Sequence, residues 1–67
     1  MEIRQRLAQN LRRLRTEKGW SQEEYADRAG IHRTYISDIE RGAQNPTIMI
    51  VEKLAQALDV TAAELVA

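Results

Sequence analysis

A chain of 67 residues has room for one small core, and the absence of cysteine removes both a disulfide framework and a thiolate metal site. No apolar run approaches the roughly 20 residues that span a bilayer, and the first residues are charged rather than apolar, so the expectation is a soluble cytoplasmic protein without a membrane anchor or leader. Ten basic and ten acidic residues cancel, but they are separated along the chain. Residues 4–18 carry Arg4, Arg6, Arg12, Arg13, Arg15 and Lys18 against Glu17, whereas residues 42–67 carry Lys53 against Glu52, Asp59 and Glu64. A basic front and an acidic back leave room for a polyanionic partner in spite of zero net charge.

Gly19, Gly30 and Gly42 each follow a periodic segment, and the single proline, Pro46, falls in a loop. This punctuation predicts five helices. The first covers about 2–18, with Ile3, Leu7, Leu11 and Leu14 on one face. The second covers about 22–29. Ser21 is its cap with Glu24 as capping-box partner, and Trp20 and Tyr25 form a hydrophobic staple. Ala26 is small enough for a close helix crossing, and Gly30 can take the left-handed conformation that stops the helix. The third covers about 33–41, stapled by Ile31 and Ile36, with Ile39 one turn further. The fourth covers about 48–58, capped by Thr47, with Val51, Leu54, Ala55 and Leu58 inward. The fifth covers about 62–66, with a Thr61–Glu64 capping box and a Val60–Leu65 staple. No segment alternates at period two, so no sheet is expected.

Residues 21–41, SQEEYADRAGIHRTYISDIER, thus read as two short helices across a glycine turn, with Gln22, Ala26, Gly30 and Ile36 at the spacing of a helix-turn-helix. That unit lays its second helix in the major groove of DNA.

The strings LRRLRTEKGWSQEEYADRAG, IHRTYISDIERGAQNPTI and VEKLAQALDVTAAEL resemble the lambda-repressor/Cro-type helix-turn-helix regulators over essentially the whole chain. Within that family, HRTYIS followed by IERG and a nearby Asn is most similar to controller proteins of restriction–modification systems. The resemblance implies an all-α, compact five-helix bundle, with 1–67 a single DNA-binding domain and the helix-turn-helix at 21–41. It also implies a dimerisation part at about 47–67 and a homodimer on a palindromic operator. The family pattern pairs an arginine late in the first helix with the glutamate of IERG, here Arg15 and Glu40. Two positions depart from the pattern. His32 stands where the family usually has a Ser or Thr cap, so the third helix is expected to start loosely or His32 to face DNA. Trp20 replaces an aliphatic residue as a change of packing.

Base readout is expected from Arg33, Thr34, Ser37 and Asp38 on the exposed face of the third helix, with Tyr35 and His32 at its margin. Arg33 is the strongest candidate because its fork matches guanine O6 and N7. Asp38 either accepts from cytosine N4 or orients Arg41, and Tyr35 either reaches DNA or packs on Ile39. Phosphate contacts are expected from Ser21 and Gln22 at the start of the second helix, where free N–H groups and the helix dipole favour an anion. Arg41, Gln44 and Asn45 would add to them from the next loop, although Asn before Pro is also an ordinary turn residue. Met49, Ile50, Val66 and Ala67 form the candidate dimer patch.

His32 has no second histidine or cysteine beside it, so no metal site is expected. No nucleophile–base pair and no phosphate-cradling glycine loop is present, which points away from an enzyme. The expected partners are double-stranded DNA and a second copy, with RNA polymerase a further candidate and no cofactor or small-molecule ligand evident. The alternative reading is a protein-interaction module on the same fold, antitoxin-like or an adaptor, supported by net neutrality and the acidic end.

Overall fold

A computed structural model describes residues 1–67. It is all-helical, with α1 at Ile3–Glu17, α2 at Gln22–Ala29, α3 at Arg33–Glu40, α4 at Ile48–Leu58 and α5 at Ala62–Val66. The outer helices start and stop within a residue of the periodic segments. The first, expected from residue 2, begins at Ile3 because Glu2 is its cap and Gln5 closes a capping box.

Helix ends follow one device. After α2, the N–H of Ile31 donates to the Ala26 carbonyl at 3.0 Å and that of Gly30 to Asp27 at 3.3 Å. This paired closure needs a left-handed residue, and Gly30 supplies it at φ 71°. The end of α4 closes in the same way, Val60 to Ala55 at 3.0 Å and Asp59 to Gln56 at 3.1 Å. There the left-handed residue is Asp59, at φ 59°, where no glycine marks the stop.

One expectation about a helix start changes and another holds. The Ser21 hydroxyl accepts the Glu24 N–H at 3.0 Å, but the Glu24 carboxylate turns to Arg28 at 2.8 Å, so the capping box is only half formed. The i+4 guanidinium offers that carboxylate a charged partner in place of the cap's N–H. At α5 both halves form, with Thr61 and Glu64 exchanging bonds of 3.1 Å.

The core gathers Leu7 and Leu11 of α1, Tyr25, Ala26 and Ala29 of α2, Ile36 and Ile39 of α3, Leu54, Ala55 and Leu58 of α4, and Leu65 of α5. α2 packs on α3, α1 on α3 and α5, and α4 on α2 and α5. Tyr25 is fully buried, and its hydroxyl donates to the Leu54 carbonyl at 2.7 Å. Burial and, secondarily, the Glu40 carboxylate hold this phenol well above its usual range. Ile3 departs from the expected inward face: half of its surface is exposed. It sits at the first turn of α1 and lines an apolar groove with Pro46, Ile48, Val51, Ala62, Ala63 and Val66.

Candidate nucleic-acid interface

Glu40 is the last residue of α3, and its side chain is 3% exposed. A carboxylate so deep in a small domain must be fully paired. Arg15 supplies Nε at 2.6 Å and Nη2 at 3.0 Å, a bidentate fork from the end of α1. Gln22, the first residue of α2, donates Nε2 to Glu40 Oε1 at 3.1 Å. The remaining arm of Arg15, Nη1, donates to the Trp20 carbonyl at 2.7 Å in the turn before α2. No buried side-chain nitrogen or oxygen lacks a partner. One carboxylate therefore joins the end of α1, the start of α2 and the end of α3. Such a pair contributes little net stability but fixes geometry, because breaking it strands a buried charge.

The consequence falls on α2. Its free N–H groups and Gln22 are held at a fixed distance from the end of α3. A Gln amide carries two hydrogens; Glu40 takes one and the other remains to donate. Ser21, exposed, caps the same helix end. Trp20 lies over this corner against Tyr25, ring centroids 5.8 Å apart, with the Arg28 guanidinium 4.4 Å and the Lys18 ammonium 5.8 Å from the indole. Two cationic side chains thus lie within cation–π reach of the indole.

On α3, Ile36 and Ile39 point into the core, while Arg33 and Thr34 are exposed and Ser37 and Asp38 half-buried. Arg33 belongs to none of the five ion pairs of the chain. Asp38 instead pairs with Arg41 one turn on, at the end of the helix. Tyr35 is half-buried and packs against the core. In the loop that follows, the half-buried Gln44 accepts the Asn45 N–H at 3.3 Å, and Asn45 is exposed.

His32 differs from the sequence expectation of a poor cap. It is the N-cap of α3, and its Nδ1 accepts the Thr34 N–H at 3.1 Å. The reason is reach: imidazole Nδ1 stands as many bonds from the backbone as Asn Oδ1, one of the favoured capping atoms.

A family model described as helix-turn-helix matches residues 11–65. The chain belongs to the helix-turn-helix family of transcriptional regulators. It is 47% identical over 66 residues to the uncharacterized HTH-type transcriptional regulator y4dJ of Sinorhizobium fredii, covering 98% of this chain and 86% of that protein. The restriction–modification controller protein C.AhdI from Aeromonas hydrophila is 44% identical, with a TM-score of 0.88 over 92% of this chain and 94% of that one. SinR in complex with DNA is 40% identical, with a TM-score of 0.86 over 91% of this chain and 98% of that one. Against the full SinR protein of Bacillus subtilis, the chain spans half the length.

This regulator carries its exposed apolar surface elsewhere, at the start of α4. Met49 is 76% exposed and Ala67 is exposed, whereas Ile50 and Val66 are half-buried against the core. Ile48, the first residue of α4, is 83% exposed. No group of three or more His, Asp or Glu side chains could hold a metal, and no helix is long and apolar enough to cross a membrane.

Proposed function

We propose that the regulator is a sequence-specific binder of double-stranded DNA that acts as a homodimer on a palindromic operator, as a controller in a restriction–modification system. The observation that carries the reading is the Glu40 junction, which holds the start of α2 against the end of α3. Exposed Arg33 at the start of α3 and the likenesses to SinR bound to DNA and to C.AhdI support it.

In this reading α3 enters the major groove. Arg33 bonds guanine O6 and N7, Thr34 and Ser37 contact neighbouring bases, and Tyr35 works from the margin of the face. Ser21 and Gln22 hold one phosphate at the α2 start; Arg41, Gln44 and Asn45 hold another. Asp38 keeps Arg41 in place. Ile48, Met49, Ile50, Val66 and Ala67 meet a second copy, setting the two recognition helices about 34 Å apart. The regulator works in the cytoplasm, without catalysis, and RNA polymerase is the partner through which bound protein acts on transcription.

Arg33→Ala tests the reading. Discrimination should fall by about 1–3 kcal/mol at one base position per half-site, while binding keeps a steep salt dependence. Equal weakening on every sequence would make Arg33 a phosphate contact, and no duplex binding at low salt would end the reading. The exposed Ile48 and Met49, with Glu52 and Lys53 beside them, favour a second reading, a protein-interaction module. A copurifying protein that covers α3 would carry it.

A further inference from the structure

We propose that His32 is at once the cap of α3 and a hydrogen-bond donor to DNA, with the cap deciding which ring nitrogen carries the hydrogen. The second half rests on the DNA-binding reading above; the first does not.

A neutral imidazole has one N–H and one lone pair. The cap uses the lone pair: Nδ1 accepts the Thr34 N–H at 3.1 Å. The hydrogen must then sit on Nε2, on the opposite edge of the ring and directed away from the helix end. The backbone that sets this orientation is firm. Ile31 packs against the core just before His32, and His32 itself is extended at φ −74° and ψ 142°. The ring is exposed, makes no ion pair, and has no other side-chain hydrogen bond than the cap. Nε2–H is thus an uncommitted donor beside Arg33 and Thr34.

The chemistry of its target follows. A group that can only donate suits an acceptor: purine N7, guanine O6, thymine O4 or a phosphate oxygen. It does not suit adenine N6 or cytosine N4, which are donors, unless the cap is released. A Ser or Thr in this position would also cap, but its hydroxyl ends close to the backbone. The imidazole carries its donor across the ring and into the space in front of α3. Capping and facing DNA, alternatives in the sequence, are one arrangement.

The chain has a single histidine, so its ring can be observed without ambiguity. Long-range proton–nitrogen correlation spectra of the full chain labelled with 15N-histidine should show Nδ1 bare and Nε2 protonated. The Nδ1–H tautomer, or an even mixture, overturns the capping half. For the DNA half, His32→Ser keeps a capping oxygen and removes the ring donor, while His32→Ala removes both. His32→Ser should unfold at the wild-type temperature and bind its selected operator about 3- to 10-fold more weakly, the worth of one hydrogen bond; His32→Ala should lose thermal stability as well. Loss confined to one base position places the donor on a base edge, and uniform loss places it on a phosphate. Wild-type affinity and base preference in His32→Ser overturn the donor role. If the wild-type protein binds no duplex, the DNA half fails with its parent reading, and the spectra still decide the tautomer.

Discussion

The corner around Glu40 and the surface at the start of α4 solve opposite problems. At the corner, charge is buried: Glu40 and Arg15 are nearly out of water, and each of their bonds ends on a partner within the chain. At α4, apolar surface is left in water, with Ile48 and Met49 83% and 76% exposed beside a groove lined by Ile3, Pro46, Val51 and Val66. The first region is complete within one chain and is rigid for that reason. The second is incomplete, since an exposed apolar patch gains only when something covers it. The position of α3 therefore belongs to the monomer, and the proposed spacing between two copies of α3 belongs to the pair.

Glu40→Ala is the harshest test of this contrast. It strands the Arg15 guanidinium and frees Gln22, and should lower stability by about 3–5 kcal/mol in urea denaturation. A loss under about 1 kcal/mol would mean that the corner is held by packing and not by the ion pair. Ile48→Asp addresses the other side. It should leave the unfolding transition nearly unchanged, because the residue is exposed, yet weaken self-association on the order of tenfold or more by sedimentation. Ile50→Asp is a poorer probe, because Ile50 is half-buried on the core and its loss would mix folding with assembly.

Tyr25 sharpens the first half of the comparison. Its phenol is held above the ordinary value of 10.0 in the folded state. The stability this represents is full below about pH 10 and is lost as pH rises from there toward the folded-state value. Tyr25→Phe should cost about 1 kcal/mol at neutral pH, through the lost bond to the Leu54 carbonyl, and should flatten the alkaline decline seen by denaturation. The smallest expected change is at the end of α4. Asp59→Gly removes a Cβ from a left-handed residue and should raise stability by up to about 1 kcal/mol, read as a higher melting temperature.

The helices themselves were legible because apolar periodicity and glycine punctuation agreed at nearly every end. The end of α4 carried no such signal, since Asp59 tolerates the left-handed conformation without announcing it. Periodicity misleads at Ile3, which lies in the first turn of α1 and stays half exposed. The cap at His32 is hidden in the sequence because cap preferences rank residue types by average, whereas here ring geometry brings Nδ1 within reach of Thr34. The contact of Gln22 with Glu40 joins residues 18 apart and depends on how α2 and α3 cross, which no local pattern encodes. The pairing of Arg15 with Glu40 follows from the family resemblance, and only the folded chain gives their bond lengths and the additional bond to Trp20.

The most direct test of the whole account is selection from a randomised duplex pool by the purified protein, followed by sequencing. The account predicts an enriched inverted repeat whose half-site centres lie about one helical turn apart. No enrichment at low salt, or enrichment of a single half-site without symmetry, would contradict it.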